Sequence, residues 1–307
     1  MEIIDAMNKS KNNYATAVAL GNFDGIHVGH QYLLNDNIEK AKEKSLIPSV
    51  LIFRNHTKTI LKDKKSSEID ILTTYEQKMK ILEGLGIEVV YAMDFNEDIM
   101  RLSPDMFIND IVLGRLNARL ITVGFDYRFG YKAQGNSEYL KKYGKRNGFE
   151  VNIIDPVYIE NEIVSSTSIR NLIRSGNIKK ANRFLGRNFS LIGTVIRGRS
   201  RGRKLGFPTA NIRLADRYVI PKTGVYKTFT TLGSSRFVSL TNIGYNPTFN
   251  EKELKIETYM LGFSGDIYGQ TIEVEFIEFI RDDIKFNTVE ELKEQMYKDL
   301  RYIKNSL

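Results

Sequence analysis

The chain has no cysteine and no tryptophan, and only three histidines and six prolines in 307 residues. Without cysteine there are no disulfides and no thiolate metal centres, which suits a reducing cytosol. No apolar run approaches the roughly 20 residues that a membrane span needs. The stretch Met1–Asn13 is polar and lacks the apolar core of a secretory signal. A cytoplasmic protein with no membrane partner is expected. What is present is the composition of a globular chain, 42% hydrophobic and 27% charged. Its length suits one large or two ordinary domains, each able to bury a core. The balance is basic, 45 Lys and Arg against 37 Asp and Glu, for a net charge of +8. Such a charge admits nucleic acid, but equally phosphorylated small molecules, so it does not decide the function.

Two of the three histidines fall in one window, Gly21-Asn22-Phe23-Asp24-Gly25-Ile26-His27-Val28-Gly29-His30. Before it lies a short apolar run, Ala15–Leu20, that reads as a buried parallel strand. After it, Leu33, Leu34, Ile38 and Ala41 recur at helical spacing between Gln31 and Lys44. At a strand-to-helix junction the backbone N–H groups and the positive helix end converge on an anion, typically a phosphate. Glycines let the main chain come close, and histidines donate hydrogen bonds to phosphoryl oxygens. Strand, Gly-Asn-Phe-Asp-Gly, then His-x-Gly-His at a helix start resembles the adenylyl-transferring nucleotidyltransferases.

The chain as far as Leu185 alternates strand-like and helical segments. Strands are expected at Ser49–Phe53, Glu88–Ala92, Arg119–Val123 and Glu150–Ile154, and helices at Thr74–Leu85, Pro104–Leu113 and Ser137–Arg146. This alternation implies a parallel sheet covered on both faces, with ligands beyond the carboxyl ends of its strands. Lys58–Asp70 is charged and poorly periodic, and reads as a loop. Gly124-Phe125-Asp126-Tyr127-Arg128-Phe129-Gly130 follows a strand, and its acid and arginine between aromatics suit a planar ring with a phosphate, or an aromatic loop closing the core. Val164-Ser165-Ser166-Thr167-Ser168-Ile169-Arg170 opens a helix through about Arg174. Its hydroxyls are natural caps, and Arg170 and Arg174, four apart, share a face that can hold an anion.

In order and spacing these segments resemble the adenylyltransferase module of bacterial bifunctional riboflavin kinase/FAD synthetases, over residues 15–187. Asn55-His56 belongs to the resemblance too, although that family usually has proline where Asn55 stands, and His56 reads equally well as structural. The resemblance implies a Rossmann-like α/β nucleotidyltransferase domain. It implies that His27 and His30 act on the ATP phosphates, with Gly21, Asn22, Phe23, Asp24, Gly25 and Gly29 around them. Asp126, Tyr127, Arg128 and Phe129 would face FMN. Ser165, Ser166, Thr167 and Arg170 would belong to a loop closing on the triphosphate.

Near Gly186-Arg187-Asn188-Phe189 the texture changes to short strands punctuated by Gly and Pro: Leu191–Ile196, Val225–Thr231, Phe237–Thr241, Glu253–Met260 and Gln270–Phe279. This pattern suits a small β-barrel, with one amphipathic helix from Val289 to about Tyr302. Domains at 1–186 and 187–307 are expected. The sharpest basic cluster, Arg197 to Lys204, runs into Gly-Arg-Lys-Leu-Gly-Phe-Pro-Thr-Ala-Asn, residues 202–211. It lacks P-loop spacing, and on its own reads as a solvated or RNA-binding loop.

The run resembles riboflavin kinase, and four further segments in the same order extend that resemblance over about 187–300. They are Gly224-Val225-Tyr226, residues 242–249 from Asn242 to Phe249, Glu257-Thr258 and Asp266-Ile267-Tyr268-Gly269, followed by Arg281 and Lys285-Phe286. The resemblance implies a Greek-key barrel with a C-terminal helix. It implies an ATP site at Gly198, Gly202, Arg203, Lys204, Gly206, Pro208, Thr209 and Asn211, with Thr209 and Asn211 as Mg²⁺ ligands. Glu257 would be the base for the riboflavin 5′-hydroxyl, and Arg281 and Phe286 would contact the flavin. The chain departs from the family at Tyr259 and Gly262, where histidine and aspartate are common.

The resemblance as a whole implies an enzyme that makes FMN from riboflavin and FAD from FMN, with ATP at each step and Mg²⁺ as cofactor. ATP, riboflavin, FMN and FAD are its expected partners. No nucleic acid is expected, and self-association is left undetermined. Three alternatives stay open at this stage. One is a relative with a single activity retained. A second is a class I aminoacyl-tRNA synthetase, which shares His-x-Gly-His but needs a Lys-Met-Ser-Lys-Ser-like loop. The third is a basic RNA-binding module.

Overall fold

A computed structural model describes residues 1–7, 14–54, 70–198, 206–247 and 252–305. The expected loop Lys58–Asp70 therefore lies outside the described residues apart from Asp70, as do Asn55, His56, Gly202, Arg203 and Lys204. The chain forms two compact units. One comprises residues 1–69 and 73–165; the other comprises 70–72 and 166–307.

The first unit is built on six parallel strands: β1 (Glu2–Asp5), β2 (Thr16–Leu20), β3 (Ile47–Phe53), β4 (Val89–Met93), β5 (Ala118–Gly124) and, further along, β8 (Glu150–Ile154). Their order is β1-β4-β3-β2-β5-β8. All residues of β2 and β4 are buried, as a sheet covered on both faces requires. Alternation along the strands sorts the core into two layers. Ala19, Val50, Ile52 and Val90 meet Leu34, Ile38, Met79 and Leu82 from the helices Val28–Glu43 and Tyr75–Leu85. Val18, Leu20, Leu51, Tyr91 and Val123 meet Phe107, Ile108, Ile111 and Leu140 on the opposite face. The buried Asn37 donates to the carbonyl of Ala17 and accepts the Thr122 hydroxyl, tying its helix to β2 and β5.

Strand order reverses between β2 and β5. Chain direction sends β3 and β4 to one side of β2, while β5 and β8 lie on the other. At this switch point the carboxyl ends of adjacent strands open a crevice. The turn beginning at Gly21 and the segment beginning at Phe125 leave from those two ends. Two small hairpins flank them, β6 (Arg128–Phe129) with β7 (Gly135–Asn136), and β9 (Tyr158–Ile159) with β10 (Glu162–Ile163).

The second unit is a closed antiparallel barrel of β11 (Phe189–Ile196), β12 (Ala210–Leu214), β13 (Gly224–Leu232), β14 (Ser235–Pro247), β15 (Lys252–Met260) and β16 (Thr271–Arg281), in the order β11-β12-β15-β14-β13-β16. The hydroxyls of Thr228, Thr241 and Thr258 are buried and linked in one row across β13, β14 and β15. Each finds a partner, so the barrel interior holds polar groups at little cost. The helix Val289–Asn305 covers part of the outer wall, where Leu300 and Ile303 pack with Phe207, Val225 and Leu240.

This unit begins upstream of the 186/187 boundary expected from the change of texture. The helix Ile178–Leu185 buries Ile178, Ala181, Phe184 and Leu185. Its Asn182 donates to the carbonyl of Phe276 on β16 and accepts the N–H of Phe189 on β11. Helical texture thus continues into a segment whose partners are barrel strands.

Candidate active sites

In the first unit the turn after β2 is held in an unusual backbone conformation. Phe23, Gly25 and Ile26 have φ of 47°, 84° and 35°. Gly25 adopts this freely, but the two bulky residues do so at a cost of about 1–3 kcal/mol each. Both of their side chains are fully buried in the core beneath the turn. Buried Asp24 accepts the N–H of Thr73 through Oδ1 at 3.3 Å, and Gly25 N–H donates to Thr73 Oγ1 at 3.0 Å. Main chain and side chain of Thr73 therefore both grip the turn.

The helix begins at Val28, with His27 as its N-cap, earlier than the Gln31 start expected from periodicity. His27 Nδ1 accepts the His30 N–H at 3.3 Å. An accepting Nδ1 carries a lone pair, so the neutral ring bears its proton on Nε2. The rings of His27 and His30 stack at 3.7 Å between centroids, 17° from parallel. A Cβ at Gly29 would come within 3.3 Å of the His27 ring, so the glycine between the histidines makes room for it. The Phe23 ring stands 5.2 Å from His30. Gly21, Asn22, Phe23, Asp24, Gly25, His27, Gly29 and His30 therefore form one continuous structure at the switch point.

The four residues expected to face FMN divide into two pairs. Asp126 and Arg128 are exposed. Phe129 is buried among Phe107, Tyr127 and Tyr139, and Tyr127 stacks on it at 5.6 Å. Burial pushes the Tyr127 hydroxyl pKa up. Tyr127 and Phe129 thus serve the core, while Phe125, Asp126 and Arg128 are open to solvent.

Ser165 ends the first unit. Ser166, Thr167 and Arg170 belong to the second, on the helix Ser166–Arg174. The shared face of Arg170 and Arg174 does hold an anionic group, and that group is Asp70. Arg174 meets its Oδ2 at 2.8 Å, Arg217 meets its Oδ1 at 3.0 Å, and Arg170 Nε donates to its carbonyl at 2.8 Å. The next residue, Ile71, forms a parallel bridge with Tyr218.

On the barrel, the residues singled out in sequence come together through strand register. Asn211 on β12 lies opposite Glu257 on β15, and Glu257 lies opposite Asn242 on β14. Asn242 pairs with Val225 on β13, and Val225 with Arg281 on β16. Directly opposed residues share a face, and Ile256 and Thr258 on either side of Glu257 are buried. The row therefore lies on the outer wall.

Glu257 Oε2 pairs with Lys255 Nζ at 2.8 Å, and Asn242 Nδ2 donates to Asp283 at 2.8 Å. Arg281 is clamped by Asp299, with Nε at 3.1 Å from both carboxylate oxygens and Nη2 at 2.7 Å from Oδ2. Gln295 adds a bond to the same carboxylate. Phe286 is half-buried in the segment between β16 and the last helix.

A Cβ at Gly198 would lie 2.2 Å from Asn211 Nδ2 and 2.8 Å from its Oδ1. The glycine is a cradle for that amide. Gly206 has φ 85° and leads into Phe207, whose buried ring meets Tyr259 and Tyr297 edge-on at 5.7 and 5.1 Å. This anchor fixes the approach of Pro208 and Thr209 to the strand. It also accounts for Tyr259, which packs where the resembling family commonly carries histidine. Gly262 has φ 75°, a turn conformation that disfavours a side chain.

Sequence reasoning passed over Thr73, Asp70, Lys255, Asp283 and Asp299. Only Asp70 carried a signal, as the acid ending a charged loop. The others act through partners far away in sequence or, for Lys255, through strand alternation.

Together these features define a protein of two parts, a nucleotidyltransferase-type parallel sheet and a kinase-type closed barrel. Comparison with known proteins agrees. Residues 9–168 match the FAD synthetase family, and residues 185–307 match the riboflavin kinase family. A bifunctional riboflavin kinase/FMN adenylyltransferase of Listeria monocytogenes is 38% identical over 92% of this chain and 89% of its own. The Bacillus subtilis protein of the same description is 36% identical over 94% and 93%. A crystal structure described as a macrolide-efflux protein from Streptococcus pneumoniae superposes with TM-score 0.92, at 32% identity over 99% of both chains. The chain belongs to the bifunctional riboflavin kinase/FMN adenylyltransferase family. No helix among the described residues is long and apolar enough to cross a membrane.

Proposed function

We infer that this protein phosphorylates riboflavin to FMN and then adenylylates FMN to FAD, consuming one ATP at each step. The reading is supported by two groupings among the described motif residues. The histidine pair stands at the switch point of the sheet, and Asn211, Glu257 and Asn242 stand in one row on the barrel.

In the kinase reaction the riboflavin 5′-hydroxyl attacks the γ-phosphorus of ATP, and ADP leaves. Glu257 takes the hydroxyl proton as the P–O bond forms. Lys255 steadies its carboxylate, and Arg281, locked by Asp299, holds the flavin side with Phe286. Gly198, Gly206, Pro208, Thr209 and Asn211 hold the nucleotide, joined by Gly202, Arg203 and Lys204.

The hydroxyl of Thr209 and the amide oxygen of Asn211 are the hard donors that Mg²⁺ prefers. Gly198 leaves room for the Asn211 amide against the main chain, and this donor set fits the ion. When bound, it supplies charge neutralisation to the ATP phosphates.

In the second reaction an FMN phosphate oxygen attacks the α-phosphorus of ATP and pyrophosphate leaves. The attacking group is already anionic, so no base is needed, and positioning with charge stabilisation carries the rate. His27 through Nε2–H, His30 and the N–H groups of the glycine turn meet the phosphates. Asp126 and Arg128 serve the FMN side, and Ser165, Ser166, Thr167 and Arg170 the triphosphate side. Sequence modules at 1–186 and 187–307, the first sharing residues 166–186 with the compact unit of the barrel, and action in the cytoplasm complete the reading.

Incubation with riboflavin, ATP and Mg²⁺, followed by chromatography of the flavins, tests it. FMN should form first and FAD after it. FMN alone, or FAD only from added FMN, would leave a single activity. Neither product would refute the reading.

A further inference from the structure

We propose that Thr73 is a positioning residue for adenylyl transfer, holding the strained turn in the conformation that presents its N–H groups and histidines to ATP. The proposal deepens the functional reading and rests on it. Phe23 and Ile26 have left-handed backbones that their own side chains disfavour. Something outside the turn must therefore hold it.

Burial of the two side chains supplies part of that hold. Gln31 Nε2 donates to the Ile26 carbonyl at 2.8 Å from the following helix, and Thr73 bonds the turn through both its hydroxyl and its main chain. Thr73 Oγ1 accepts the Gly25 N–H, and the Thr73 N–H donates to Asp24 Oδ1, both in a buried setting. Asp24 and Gly25 lie between the two strained residues, Phe23 and Ile26, so the pair of bonds acts between them.

Thr73 is itself firmly placed. Its neighbour Thr74 opens the helix Tyr75–Leu85 with a reciprocal cap, Gln77 N–H to Thr74 Oγ1 at 3.2 Å and Thr74 N–H to Gln77 Oε1 at 2.9 Å. That helix is fixed on the sheet by Met79 and Leu82. The turn is thus referenced to a rigid helix through the hydroxyl and the N–H of Thr73, and the histidines that follow inherit its placement.

The test compares Thr73→Val, which keeps the shape but removes the acceptor, with Thr73→Ser, which keeps the hydroxyl. FMN adenylylation and riboflavin phosphorylation are measured on the same preparations. Loss of a buried hydrogen-bond partner should lower kcat/KM for adenylylation by about 10- to 100-fold in the valine variant. The serine variant should stay within about threefold of wild type, and phosphorylation should be unchanged in both. Wild-type adenylylation by the valine variant, or an equal fall in the serine variant, overturns the proposal.

Hydrogen exchange at the Gly25 amide of the wild-type protein decides the case in which the valine variant does not fold. Protection supports the bond to Thr73, and free exchange overturns it. A wild-type protein that makes no FAD would refute the functional reading instead, so the two failures are distinguishable.

Discussion

Replacing Gly198 with alanine would put a methyl carbon 2.2 Å from Asn211 Nδ2 and 2.5 Å from its Cγ. Ordinary carbon contacts begin near 3.5 Å, so the amide must retreat by about 1 Å. The Asn211 backbone is paired on both sides, with Ile196 on β11 and Glu257 on β15, and is not free to follow. The side chain must rotate instead. Turning one surface amide costs little stability, within about 0.5 kcal/mol. At a site where phosphates and metal are aligned, however, a misplacement of about 1 Å costs on the order of 100-fold in rate. Gly198→Ala should therefore lower kcat/KM for riboflavin phosphorylation about 100-fold, with an almost unchanged melting temperature and full adenylylation of added FMN. Chromatographic assay of the two steps on one preparation reads this directly. A variant that phosphorylates riboflavin at the wild-type rate would refute both the cradle and the role of Asn211.

Three further substitutions separate the two chemistries and test the frame. His30→Ala should reduce FAD formation by about 10²–10³-fold while FMN formation from riboflavin continues; equal loss of both would mean that the reactions are assigned to the wrong units. Glu257→Gln should do the converse, slowing phosphorylation by at least about 10²-fold while added FMN is still adenylylated, and a wild-type rate would remove Glu257 as the base. Asp299→Ala leaves Arg281 without its carboxylate in a site where their side chains are only 18% and 5% exposed. Breaking a largely buried pair costs about 3–5 kcal/mol, which denaturant unfolding of the barrel should register; a loss below about 1 kcal/mol would show that water replaces the carboxylate.

The parallel sheet was legible because strands buried on both faces leave continuous apolar runs, as in Ala15–Leu20. The histidine turn was legible because glycines and histidines at a strand-to-helix junction have few other uses. The start of its helix was misplaced because His27 is the cap, and histidine is not among the usual capping residues. Strand β1 escaped notice because it is a short edge strand with largely exposed side chains, which gives no apolar signal. Partner choice was not legible at all. That Arg170 and Arg174 share a face follows from helix geometry, but that Asp70 occupies it depends on a contact about a hundred residues away in sequence. The opposition of Asn211, Glu257 and Asn242 likewise depends on register, which pairs residues whose separation carries no periodic signal.

Residues 70–72 have a consequence for anyone who would take this protein apart. Asp70 is gripped by Arg174 and Arg217, and Ile71 lies along Tyr218, a residue only 1% exposed. Residue 73 already belongs with the sheet. A fragment beginning at residue 166 or 187 would keep Tyr218 and lose its bridge partner Ile71; one ending at 165 would keep Asp70 and lose its arginines. The two reactions can be silenced one at a time by single side chains, yet no single cut of the chain yields two complete halves.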